Sequence, residues 1–277
     1  MFKKLLRLIP SRFRVKSHVI HVVRLEGTIA SGRGLQANLN GKSLEPLLKK
    51  AFRKGVSGVA LAINCPGGSP VQSALIASSI RRLAEKHKVP VYAFCEDVAA
   101  SGGYWLACAA DEIYADQNSI IGSIGVISGG FGFPEALSKL GVERRIYTSG
   151  TSKSTNDPFK PENPEDVAKL KTMLEEIHQS FIAEVKARRG TKLKDDPDLF
   201  RGAYWTGSKA LTLGLIDGIA HMDAELRRKF GDKVEITEIS APKGWSLKRL
   251  GFGSATELPE AVINTLEQRA LWQRFGL

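Results

Sequence analysis

Two short apolar runs, residues 56–63 and 89–95, are each followed by small residues and then by a helical stretch, and this repeat narrows the possible folds most. The first run leads through Asn64-Cys65-Pro66-Gly67-Gly68-Ser69-Pro70 into a helix expected to reach about Lys86, with Val71, Leu75, Ile80 and Leu83 turned inward. Pro66 fixes the turn, and Ser69-Pro70 is an N-cap followed by proline at the first helical position. The second run leads through Ala99-Ala100-Ser101-Gly102-Gly103 into the helix formers at 104–110. Runs this short and continuously apolar read as buried strands. Strand, helix and strand in repeated order predict parallel βαβ units with right-handed crossovers.

The remainder of the chain fits the same plan. Residues 18–28 read as a first strand and 43–53 as a helix capped by Ser43. A short strand at 112–116, an Ile- and Gly-rich stretch at 119–132, a short helix at 133–140 and a strand at 142–148 come next. Residues 149–161 are a polar loop that carries Lys153. Asn163-Pro164-Glu165-Asp166 opens a long helix to about Arg188, with an acidic start and a basic end. Its stripe of Val167, Leu170, Leu174, Ile177, Phe181 and Val185 marks core or a subunit interface. A helix at 224–230, a strand at 234–239, a linker at 241–253 and a terminal helix at 259–275 complete the chain. The expected division is a basic arm (1–17), a main domain (18–240), and a linker with a helix for oligomer or membrane-surface contact (241–277).

Charge and composition limit the partners. Lys+Arg number 40 against 29 Asp+Glu, a net charge of +11. Such an excess suits anionic surfaces. Residues 1–16 are basic and amphipathic, with Phe2, Leu5, Leu6, Ile9 and Phe13 as the apolar positions. They read either as a segment lying on an anionic membrane surface or as a basic arm, free or packed on a neighbouring subunit. No apolar run approaches the roughly 20 residues of a membrane span. Zinc spacings, aromatic RNA-binding signatures and Walker sequences are absent from the sequence, so no nucleic acid, metal or cofactor is expected. Cys65, Cys95 and Cys108 lie in small or apolar surroundings and read as buried free thiols of a reducing compartment. With no signal-peptide apolar region, they place the chain in the cytoplasm, peripheral at the inner membrane.

Ser101 is the candidate nucleophile. A serine at a strand-to-helix junction meets unpaired N–H groups and partial positive charge, and its small neighbours let a substrate backbone approach. Serine is also a favoured N-cap, so capping and catalysis both stay open on this evidence. The Gly67-Gly68 turn reads likewise as an oxyanion site or as a plain tight turn. The five histidines, His18, His21, His87, His178 and His221, are scattered, which argues against a histidine-based triad.

Five pieces in order resemble one family. They are Asn64-Cys65-Pro66-Gly67-Gly68, Ala99-Ala100-Ser101-Gly102-Gly103-Tyr104, Ser119-Ile120-Ile121-Gly122-Ser123-Ile124-Gly125-Val126, Ser149-Gly150-Thr151-Ser152-Lys153, and Tyr204-Trp205-Thr206-Gly207 with Gly214-Leu215-Ile216-Asp217. Together they resemble the signal peptide peptidase A / SohB family of Ser–Lys peptidases, single-domain branch, over roughly residues 19–240. The resemblance implies an α/β fold of the Clp protease/crotonase type, with repeated ββα units and a mostly parallel sheet. It implies a homo-oligomeric ring or dome enclosing the sites, and peptide substrates such as cleaved signal peptides or other apolar membrane-derived peptides. In that scheme Ser101 attacks, Lys153 is the base and Ser123 aims the lysine amine. The N–H groups of Gly68 and Gly102 hold the oxyanion, and Tyr104, Ile121 and Val126 are candidates for the substrate pocket. A lysine is a base only when neutral, and burial favours the neutral amine, so catalysis is expected to depend on assembly. The competing readings are a crotonase-type acyl-CoA enzyme and a non-catalytic membrane-associated scaffold.

Overall fold

The structure is a computed structural model that describes residues 17–31, 38–150, 152–240 and 269–277. The basic arm at 1–16 and most of the expected terminal helix lie outside the described residues. Among the described residues eight strands form one sheet: β1 (Val19–Glu26), β2 (Gly58–Cys65), β3 (Val91–Ala100), β4 (Glu112–Ala115), β5 (Ile120–Gly122), β6 (Tyr204–Thr206), β7 (Gly218–Ile219) and β8 (Glu235–Glu238). The order is β6-β5-β3-β2-β1-β8, with β4 paired to β3 and β7 to β4. Every pairing is parallel except β5 with β6. The helices are α1 (Gly41–Ala51), α2 (Pro70–His87), α3 (Gly102–Cys108), α4 (Pro134–Lys139), α5 (Pro164–Arg189), α6 (Gly207–Thr212) and α7 (Met222–Phe230).

The pleat of β3 sorts its side chains between two cores. Val91, Ala93 and Cys95 join the main core, which takes Leu44 and Leu48 from α1, Ile76 and Ile80 from α2, Leu106 from α3, and Phe181 and Val185 from α5. Tyr92 and Phe94 point the other way, into a smaller core closed by Leu226 of α7. Both faces are therefore covered, which is why β2 is apolar at nearly every position.

β3 then forks. Ile63 pairs with Cys95 but Cys65 pairs with Ala99, so β3 carries extra residues around Glu96 and Asp97. Asn64 secures this bulge: its Nδ2 donates to Asp97 Oδ2 (3.0 Å) and its Oδ1 accepts from the Val98 N–H (3.3 Å). Below the bulge β3 pairs with β4, and above it with β5. A bulge bends its strand and re-aims the residues beyond it; here the first residue past the end of β3 is Ser101.

Several sequence expectations need correction. Asn40, not Ser43, caps α1, its Oδ1 accepting from the Ser43 N–H at 2.9 Å. Val71 and Leu75 are exposed; the inward stripe of α2 is Ile76, Ala77, Ile80, Leu83 and Ala84. Residues 142–148 form no strand. They lie in an exposed segment in which α4 alone is regular, and extended backbone becomes a strand only when a neighbouring strand pairs its N–H and C=O groups. Helix α5 begins as expected, with Asn163 accepting from the Glu165 N–H at 2.9 Å. Its stripe divides: Phe181 and Val185 are in the core, while Val167, Leu170, Leu174 and Ile177 are only half-buried.

Candidate active site

Ser101 sits between β3 and α3 at φ 52°, ψ −122°, and makes no side-chain capping bond. The capping alternative therefore fails on geometry, since an N-cap holds extended backbone and its oxygen accepts from the helix. This conformation is costly for a residue with a β-carbon. Neighbouring backbone holds it in place: the Ser101 N–H donates to Gly122 O (2.8 Å), and the Trp105 N–H donates to Ser101 O (3.0 Å). The hydroxyl is left half-buried and free of partners among the described residues.

The Pro-Gly-Gly turn lies against this serine. A β-carbon on Gly67 would stand 2.8 Å from Ser101 Cβ and 3.0 Å from Gly102 N, so glycine permits the approach. Gly68 bridges to Ile29, but the bridge uses its neighbours: the Ile29 N–H donates to Gly67 O (2.9 Å) and the Ser69 N–H donates to Ile29 O (2.8 Å). The Gly68 N–H is thus outside the ladder, on an exposed residue. Gly102 is buried at the first position of α3, where an N–H has no partner within its own helix. Gly103 permits a second close approach, because a β-carbon there would lie 2.1 Å from Cys65 O.

Ser123 is brought to the same place. Ala100 pairs with Gly122 in the β3–β5 ladder, one residue before Ser123. Ser123 is buried at φ 53°, and its N–H donates to Ala203 O (2.7 Å). Lys153 makes no hydrogen bond to Ser101 or Ser123. It lies in an exposed turn, its N–H donating to Gly150 O (3.3 Å), and its ammonium meets no partner among the described residues. The pocket candidates divide. Val126 is half-exposed beyond Ser123, but Ile121 is wholly buried in the main core. Tyr104 is equally closed off, its hydroxyl donating to Leu215 O at 2.7 Å. Both residues are close in sequence to Ser101 or Ser123, yet the inward side of the pleat and of α3 takes them away from any ligand.

The cysteines are buried free thiols, as expected. Burial pushes the Cys65 and Cys108 thiols up to about 12, and it raises Cys95 as well. Reactive cysteines are thiolates, so none of the three competes with Ser101 as a nucleophile. The late motif pieces support the scaffold. Asp217 takes Arg189 Nη1 (2.8 Å), Lys192 Nζ (2.7 Å) and the Ile113 N–H (2.8 Å). Burial pushes its carboxyl up, but hydrogen bonds from Arg189, Lys192 and Ile113 more than offset this and leave it below the usual carboxylate range. Nothing in the sequence marks Arg189 as its partner 28 residues away. Of the described residues, none form a His/Cys/Asp/Glu group able to hold a metal, and no helix is long and apolar enough to cross a membrane.

A forked parallel sheet with a serine at the strand-to-helix junction, backed by a glycine turn, defines the Clp protease/crotonase-like class. Solved structures share the fold: a lysine-to-alanine mutant of the 1510-N membrane-bound stomatin-specific protease, in complex with a substrate peptide, superposes with TM-score 0.52 at 15% identity, over 89% of this chain and 98% of that one. The profile of "Peptidase family S49" matches residues 83–234, and the chain belongs to that family. A putative signal peptide peptidase SppA of Enterococcus faecium is 32% identical over 66% of this chain and 53% of its own length. A Brucella abortus protein named Na(+)/H(+) antiporter NhaA is 49% identical over 98% of this chain. This chain spans only 39% of that relative's length.

Proposed function

We propose that the chain is a serine endopeptidase in which Ser101 attacks the scissile carbonyl and Lys153 serves as general base. The observation that carries this reading is the backbone of Ser101, held at φ 52° with its hydroxyl uncapped beside the Gly67-Gly68 turn. Strain of that kind concentrates at functional sites. The oxyanion would be held by the Gly68 N–H, outside its ladder, and by the Gly102 N–H at the start of α3. Ser123 would aim the lysine amine. Membership of a peptidase family sets aside the acyl-CoA reading.

The dyad requires Lys153, exposed in this structure, to be desolvated. The segment around it exposes Ile127, Phe131, Leu140 and Tyr147, with Phe131 at 80% and Tyr147 at 90% of their full accessibility. Apolar surface on this scale fits contact with another copy of the chain. We assign the active form to a homo-oligomer in which that segment is covered and Lys153 is desolvated, which favours its neutral form. Substrates would be apolar peptides. The membrane-bound protease among the structural neighbours, and the antiporter-named relative that contains a region like this chain, support work at a membrane surface, with residues 1–16 as the contact.

The test is covalent labelling by a fluorophosphonate, read with and without Ser101→Ala. Labelling that disappears in the variant together with peptide cleavage supports the reading. Labelling that persists in Ser101→Ala refutes it, and an unlabelled wild-type protein with no cleavage favours the scaffold.

A further inference from the structure

We infer that His178 is a positioning residue for the Ser123 loop, an inference that rests on the peptidase reading of Ser101. The histidines are scattered in sequence, yet the fold carries His178 of α5 to the loop beside the nucleophile. Its Nε2 lies 3.1 Å from Ile124 O. A carbonyl only accepts, so Nε2 carries the proton. The other ring nitrogen, Nδ1, faces Glu175 Oε2 at 4.0 Å, one turn back along the helix.

Ile124 directly succeeds Ser123, whose positive φ persists only where the surroundings over-determine it. Backbone bonds supply part of that constraint: Ser123 N–H to Ala203 O (2.7 Å), Gly202 N–H to Ile124 O (3.0 Å), and Gly125 N–H to Ser123 O (2.9 Å). His178 adds a side-chain bond from a different element. Three residues further along α5, Phe181 stacks on Trp105 with centroids 4.7 Å apart and planes at 12°. Trp105 is in turn bonded to Ser101 O. One face of α5 thus holds both the Ser101 junction and the Ser123 loop. The mostly exposed start of the same helix leads back to the exposed segment that carries Lys153. Loss of the imidazole leaves Ile124 O still bonded to Gly202, so the effect falls on the placement of Ser123 rather than on folding.

The experiment measures kcat and KM on an internally quenched apolar peptide, fluorophosphonate labelling rate and melting temperature for His178→Leu and His178→Gln. His178→Leu should lower kcat on the order of 100-fold, as small misplacements of catalytic groups do, with KM and melting temperature near wild type. His178→Gln keeps an N–H donor and should recover most of the loss. Unchanged kcat in His178→Leu overturns the inference, as does a loss that glutamine does not recover or one matched by a fall in melting temperature. If His178→Leu fails to fold, His178→Asn replaces it with the same expectation, its amide being one methylene too short. Ser101→Ala is measured alongside. An active Ser101→Ala removes the peptidase reading and the inference with it, whereas an inactive one beside an unaffected His178→Leu removes the inference alone.

Discussion

Replacing Ser101 with glycine should stabilise the protein while abolishing cleavage. Ser101 holds φ 52°, ψ −122°, a conformation that costs a residue with a β-carbon on the order of 1–3 kcal/mol and costs glycine little. Two losses oppose the relief. An unfolded glycine is more flexible, which returns about 0.5–1 kcal/mol. The β-carbon that packs against Gly67 is also lost, worth up to about 0.8 kcal/mol. The net expectation for Ser101→Gly is a gain of about 1 kcal/mol, or about 2–4 °C in melting temperature for a chain of this size. Ser101→Ala is the control, because alanine keeps the β-carbon and therefore the strain. The assay is thermal unfolding of both variants and the wild type under one set of conditions. A Ser101→Gly protein that melts below Ser101→Ala would refute the reasoning, since it would mean that the junction carries no strain for glycine to release.

Three further outcomes are expected. Gly103→Ala would place a β-carbon 2.1 Å from Cys65 O, and overpacking against backbone should cost at least about 1–3 kcal/mol, read as a lowered melting temperature. Asp217→Asn should weaken the buried bridge to Arg189, whose side chain is 2% exposed, by up to about 3–5 kcal/mol. The Asp217 carboxyl titrates below its usual range when folded, so its stabilisation is complete at neutral pH and fades as pH falls through the carboxylate range; the acid limb of a stability–pH curve should be shallower in Asp217→Asn. Lys153→Ala should eliminate turnover and leave the melting temperature unchanged, because its side chain is exposed and its ammonium pairs with no other described residue; cleavage at the wild-type rate would remove the lysine from the mechanism.

Much of the candidate site's local geometry was legible in the chain because it is built from local backbone requirements. A serine between a short apolar strand and a helix, and a Pro-Gly-Gly turn after the preceding strand, identify themselves by neighbours a few residues away. Continuous apolarity in 56–63 likewise announced a buried strand, and the structure covers both of its faces. Tyr104 and Ile121 misled for the same reason: nearness along the chain says nothing about which side of a pleat or helix faces a ligand.

By itself, then, the sequence determined the βαβ order, the place of the Ser101 junction and the glycines that let β2 and α3 meet, since strand length, turn chemistry and capping are local properties. The tertiary structure alone decided that Ser101 is strained rather than capping, that Ser123 stands next to it through the β3–β5 ladder, that His178 reaches the Ser123 loop, and that Arg189 pairs with Asp217. Each of these joins residues tens of positions apart. Such pairings depend on strand register and on which helix face is buried, and those are set only when the whole sheet is assembled.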